Sequence, residues 1–143
     1  MAKLMTFMYA NETRNDFING QNIQTINTPL LSLKPAFVPG QLSFSVIFGI
    51  NEFDFAKEHA FQYKLMDPDG NIVVDTGIIQ IPPNPNKENI PKIDGFVGDF
   101  DLRNVVFMKE GKYKYEVIFD NTKLKDDYII VKGAGINGNS SKA

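Results

Sequence analysis

The chain has 143 residues, of which 43% are hydrophobic and 22% are charged, a composition and length typical of one folded globular domain. Its net charge of −2 comes from interspersed acidic and basic residues. The basic patch that nucleic-acid binding needs is therefore missing, and we expect no nucleic-acid partner. The absence of cysteine excludes disulfides, thiolate metal sites and cysteine nucleophiles.

The N-terminal segment MAKLMTFMYANETRND lacks the apolar centre and the small-residue cleavage site of a secretory signal. No window of the chain approaches the ~20 apolar residues that a membrane-spanning helix needs. We therefore expect a cytoplasmic location and no membrane partner.

The N-terminal third has an irregular pattern. The segment KLMTFMYA (Lys3–Ala10) predicts an edge strand. The segment NIQTINTPLLSLKPAFVPG (Asn22–Gly40) contains three prolines and predicts short extended pieces along the edge of a sheet.

Regular alternation begins at Gln41. The segment QLSFSVIFGI predicts a strand with one apolar face, made of Leu42, Phe44, Val46, Phe48 and Ile50. The next segment, INEFDFAKEHA, predicts one helical turn at most. Its Phe53 and Phe55 could form an exposed aromatic binding site on a loop. We favour the interpretation that they fold back and plug one end of the fold.

A hairpin is predicted by HAFQYKLMDPDGNIVVDTGIIQI, whose two apolar runs are joined by Asp67-Pro68-Asp69-Gly70. The same acidic residues resemble the start of a calcium loop, but Gly70 comes too early and the required glutamate does not follow. The segment therefore favours a turn. After the hairpin, a long polar loop with four prolines runs from Pro82 to Gly95.

Strand GFVGDFDL follows, with Asp99 and Asp101 on one face and Asp94 nearby. These carboxylates could bind a hard cation or act as paired acids, but we favour solvated side chains. A second hairpin is predicted by GKYKYEVIFDN and DDYIIVK, with its turn in or near Asn121-Thr122-Lys123. Residues 1–132 then form a single domain, and residues 133–143 form a flexible tail.

Strands every 8–15 residues with little helix predict an all-β fold, an antiparallel β-sandwich of about seven to nine strands. The segment EGKYKYEV resembles strand F of immunoglobulin-like domains, in which a tyrosine bonds back across the corner before the strand. The resemblance implies that Tyr113 is this structural corner tyrosine and that Tyr115 replaces the second cysteine. Phe44 or Val46 would replace the first cysteine, and Phe61 or Tyr63 the core tryptophan.

The layout VPGQLSFSVIFGI, MDPDGNIV, EGKYKYEVIFDN, DDYIIV is also similar to that of small uncharacterised bacterial and prophage-borne β-sandwich proteins. That resemblance implies no established activity, and it provides no site residues for this chain.

The only histidine, His59, is interpreted as a surface or strand-edge residue, since no nucleophile motif accompanies it. We expect no catalytic residues, no cofactor and no metal. The favoured function is that of a non-enzymatic module acting through protein–protein contacts, with a possible origin on a prophage or mobile element. The candidate interaction loop consists of Pro82, Pro83, Asn84, Pro85, Asn86, Lys87, Glu88 and Asn89.

Two alternatives remain. The first is a small hydrolase or carbohydrate-active protein that uses surface carboxylates, which would need two acids facing each other across a cleft. The second is a carbohydrate-binding accessory module, although the chain has no tryptophan to form the usual aromatic platform. A protein partner, or a homo-oligomer formed through edge strands, is expected in the favoured case.

Overall fold

A computed structural model describes residues 2–83 and 95–135 of the chain. The described residues form ten strands and no helix. The strands are β1 (Lys3–Ile18), β2 (Gln21–Leu30), β3 (Ser32–Leu33), β4 (Gly40–Asn51), β5 (His59–Met66), β6 (Ile72–Asp75), β7 (Ile79–Ile81), β8 (Phe96–Phe107), β9 (Gly111–Phe119) and β10 (Thr122–Val131). The described part of the chain therefore contains no helix that is long and apolar enough to cross a membrane.

Two sheets pack face to face. The first has the order β2-β1-β4-β8, and the second has the order β3-β10-β9-β5-β6, with β7 also pairing β5. All pairs are antiparallel except β10 with β3. Strands β1, β4 and β8 correspond to A, B and E of an immunoglobulin-like domain, and β5, β9 and β10 correspond to C, F and G. The predicted immunoglobulin-like β-sandwich is therefore confirmed.

Burial follows the predicted alternation most closely in β5 and β9. Every second side chain of both strands is buried, from His59 to Leu65 and from Tyr113 to Phe119. They meet the inner face of β4, where Phe48 stacks on Phe61 with ring centroids 4.2 Å apart. In β8, Gly98 lies opposite Phe48, and a side chain there would clash with that ring. The position of the Phe48 ring, which packs against the other sheet, therefore explains why residue 98 is a glycine.

The N-terminal third agrees with its prediction in part. In the segment Lys3–Ala10, the residues up to Met8 pair with β4 alone and lie at an edge, as predicted, whereas β2 pairs with β1 from Tyr9 onwards. Strand β1 continues to Ile18 and turns back into β2, which lies at a sheet edge as predicted but is longer than the short pieces expected. This additional hairpin raises the strand number of the described residues to ten, above the seven to nine expected.

Three core tyrosines make the fold sensitive to alkali. Burial, and next the charge of Asp127, raise the pKa of Tyr115 to about 12. Burial also raises the pKa of Tyr9 and Tyr63, whose hydroxyls are 2.8 Å apart. Unfolded tyrosine titrates near pH 10, so the unfolded state loses its protons first, and stability falls as the pH rises from about 10 towards 12.

We expect denaturant titrations at pH 8, 10 and 11 to show this fall in the free energy of unfolding. The Tyr115→Phe variant should show a shallower fall, since it has one fewer raised pKa. A variant whose stability falls in parallel with that of the wild type would contradict the assignment to Tyr115.

Candidate interaction surface

A two-stranded arm, formed by residues 11–28 at the distal parts of β1 and β2, extends beyond the strand pairs that β1 makes with β4. Its turn consists of Asn19 and Gly20, with φ of 53° and 79°. Positive φ at both central residues is the signature of a type I′ hairpin turn, for which Asn-Gly is the preferred sequence. This Asn-Gly pair is the sequence signal that could have revealed the hairpin.

The arm bends where its ladder is interrupted. Asn11 and Thr28 are left out of the pairing between β1 and β2. Thr28 has a φ of 57°, which is an unusual backbone conformation for a β-branched residue. Beyond the bend, the amide groups of Asn15 and Gln24 both donate to one carboxylate oxygen of Asp99 on β8. Asp99 lies beside Ile47, which is buried on the face of β4 opposite the core. The arm therefore folds back over the outer face of its own sheet.

Apolar side chains are exposed on the arm. The exposed fractions are 81% for Phe17, 51% for Ile18, 42% for Ile23 and 36% for Ile26. Phe17 and Ile26 lie on one face of the hairpin, and Ile18 and Ile23 lie on the other. Isolated exposed apolar residues are ordinary, but the packing of the sandwich does not explain four of them on one short hairpin.

The second strand of the arm is free of charge, whereas its first strand carries Glu12, Arg14 and Asp16. From Phe17 to Leu33 the sequence contains no Asp, Glu, Lys, Arg or His, although 22% of the whole chain is charged. This segment includes all of β2, an edge strand of the first sheet. Edge strands of monomeric proteins usually carry charged residues that discourage pairing with other chains. The β2 edge lacks that protection.

The candidate interaction loop falls largely on residues that the structure does not describe. Of its eight residues, Pro82 and Pro83 are described and are exposed, while residues 84–89 lie outside the described residues. Contact through this loop stays a prediction.

His59 is buried, so the surface location was wrong, although its place at the start of a strand is confirmed. It begins β5, is only 8% exposed and packs against the rings of Phe53 and Phe119, which also contact each other. Its Nε2 donates to the carbonyl oxygen of Asp54 at 2.6 Å, and its Nδ1 lies 2.6 Å from Oδ2 of Asp120. Both ring nitrogens thus join the segment before β5 to the turn between β9 and β10. Phe53 is buried there with Phe55 against it, as expected for an end plug.

The acidic residues make contacts within the fold. Asp99 accepts from the arm, and Asp101 accepts from Ser45 at 2.5 Å, while Asp94 lies outside the described residues. Asp67 accepts the backbone N–H groups of Asp69 and Asn71, both at 2.9 Å, within the β5–β6 hairpin turn. Among residues 2–83 and 95–135, no group of three or more His, Asp or Glu side chains is placed to hold a metal ion.

Tyr113 near the start of β9 has the geometry of a corner tyrosine. It is buried, and its hydroxyl donates to the carbonyl oxygen of Lys109 at 2.7 Å, four residues upstream. Tyr115, Val117 and Phe119 are buried on the same side of the strand. The bond closes the corner between β8 and β9.

We expect Tyr113→Phe to lower the free energy of unfolding by about 1 kcal/mol, the net value of such a bond. Tyr128→Phe removes the same hydroxyl from a half-exposed ring on β10, so its effect should be close to zero. Equal stabilities of the two variants in urea titrations would rule out a stabilising corner bond.

Comparison with known proteins finds one matching family and two similar solved structures. No curated protein sequence matches the chain. Among solved structures, the C-terminal domain of wzt is similar with 15% identity and a TM-score of 0.46, over 92% of this chain and 73% of that one. An immunoglobulin-like protein from Pseudomonas aeruginosa is similar with 10% identity and a TM-score of 0.43, over 92% of this chain and 97% of that one. A family of unknown function (DUF6941) matches residues 9–132, and the chain belongs to that family.

Proposed function

We propose that this chain is a non-enzymatic β-sandwich module that acts through protein–protein contacts, and that the arm is its contact surface. The observation that carries the proposal is the exposure of Phe17 and its apolar neighbours on an arm whose edge strand has no charged residue.

The physical argument concerns what the exposed side chains contribute. Apolar area that remains in water adds nothing to the stability of the sandwich, whereas burial against a partner is worth roughly 25 cal/mol per Å². Aromatic residues are also enriched among the few side chains that dominate binding energy. A free strand edge adds main-chain hydrogen bonds to a partner, and apolar side chains beside it add affinity.

The contacts of the polar residues support the non-enzymatic part of the proposal. His59 uses both ring nitrogens to hold the fold together. Asp99 and Asp101 accept bonds from the arm and from Ser45. The side chains that sequence patterns offered for chemistry are thus engaged in the structure of the sandwich.

Site-specific photo-crosslinking in cells that naturally make the protein tests the proposal. A photoreactive phenylalanine analogue at Phe17 should give a discrete protein adduct on irradiation. The same analogue at Phe37, which is an exposed phenylalanine outside the arm, should not give that adduct. Identical patterns at the two positions, or no adduct at Phe17, would contradict the proposal.

The resemblance to prophage-borne sandwich proteins supports a finer proposal, that the gene belongs to a prophage or another mobile element of a bacterium. The neighbouring genes test it directly. Phage structural or integrase genes on both sides would support it, and a stable position among metabolic genes would overturn it.

A further inference from the structure

We propose that the partner of the β2 edge is a second copy of this chain, paired antiparallel β2 to β2 across a two-fold axis. The inference rests on the proposed function, since it uses the same arm. It names the partner and the strand that binds it.

The edge is long enough for specific pairing. Strand β2 bends at Thr28, and its residues 21–27 in the arm span about 23 Å at the usual rise per residue. Within the described residues it is the last strand of its sheet and pairs only with β1. Because residues 21–27 pair with the part of β1 that extends beyond its pairing with β4, pairing two such edges would join two arms into one four-stranded sheet.

The charge pattern favours a second copy over another protein. In a two-fold antiparallel pair, the central residue faces its own symmetry mate and its neighbours face each other. A charged residue near the centre would therefore meet a like charge, which destabilises a cross-strand pair. Strand β2 carries no charge at any position, so self-pairing meets no repulsion. It also offers no charge by which a different protein could be selected.

Sedimentation equilibrium of the purified wild-type chain is the first test. The wild type should be a dimer at micromolar concentrations. Thr25→Lys places two like charges near the axis, besides facing Arg14 of its own arm, and should weaken the dimer at least about tenfold. Val97→Lys adds the same charge to an exposed position of β8, on the opposite edge of the sheet, and should leave the dimer unchanged.

Cysteine scanning adds a test that does not depend on the stability of a lysine variant, because the native chain has no cysteine. Single cysteines at Ile23, Gln24, Thr25, Ile26 and Asn27 place a thiol at each central position of β2. The residue that faces its symmetry mate lies about 4.5–5.5 Å from it between Cα atoms, within the range for a disulfide. Mild oxidation should give a covalent dimer at that position and much less at its two neighbours.

The inference is overturned if the wild type sediments as a monomer and no position forms a covalent dimer, or if all five positions crosslink equally. A monomer whose Phe17 position crosslinks to a different protein in cells would overturn the self-pairing alone and support the contact function. A Phe17 adduct with a second copy of the chain would support both.

Discussion

Phe61→Ala should lower the free energy of unfolding by about 3–5 kcal/mol, the usual cost of removing a buried phenylalanine ring. Phe61 is 1% exposed, and it stacks on Phe48 and contacts the ring of Phe100. It lies where β5 of one sheet meets β4 and β8 of the other. A cavity at this point removes contacts from both sheets at once, and the surrounding rings cannot collapse into it without losing their own packing.

Urea titration of the wild type, Phe61→Ala and Phe17→Ala measures the effect with a matched control. The second variant makes the same chemical change at the exposed end of the arm, so its stability should stay within about 0.5 kcal/mol of the wild type. A loss below about 1 kcal/mol for Phe61→Ala would show that this position is not central to the core. A large loss for Phe17→Ala would show that the arm contributes to folding.

His59→Ala should have the second largest effect, a loss of roughly 2–4 kcal/mol. The change removes the bond to the carbonyl of Asp54 and the contact with Asp120. It also leaves a gap beside the rings of Phe53 and Phe119. The segment before β5 would then lose its polar link through His59 to the turn between β9 and β10, and keep the contact of Phe53 with Phe119.

Asp120→Asn is the companion variant for His59. It keeps an oxygen for the backbone N–H of Ala60, and asparagine tolerates the φ of 50° at this position. Its loss of stability should therefore be clearly smaller than that of His59→Ala. If His59→Ala changes the stability by less than about 0.5 kcal/mol, His59 does not hold these two segments together.

The strands of the sandwich were predictable from sequence where only one face of a strand packs on the core, because the hydrophobic residues then alternate with polar ones. In β5 and β9 the buried positions alternate with exposed ones, because each strand has one face on the core. In β4 the alternation gave the correct inner face, yet Ser45 and Ile47 on the outer face are also buried. The arm covers that face, and this contact joins residues far apart in the sequence. Local periodicity does not contain such information.

The candidate surface was missed for a related reason. The polar, proline-containing segment of β2 resembles an irregular connection, and its strand character comes from pairing with the distal half of β1. The Asn19-Gly20 turn was a local signal for that pairing. The absence of charge becomes informative only when β2 is known to be an edge, since a charge-free stretch in a central strand is ordinary. His59 was misplaced similarly, because its two partners are brought to it by the tertiary fold.

Affinity purification from cells that naturally make the protein tests most directly whether the arm is the contact surface. The cells would express the chain with one tag and a second copy with another tag, so that both a different partner and a second copy are detected. The test variant combines Phe17→Ser, Ile18→Ser and Ile23→Ser, which changes only exposed side chains. We predict that the wild type retains a stoichiometric protein partner, and that the variant loses at least about nine-tenths of it while keeping the stability of the wild type. Undiminished retention of the partner by a folded variant would contradict the account.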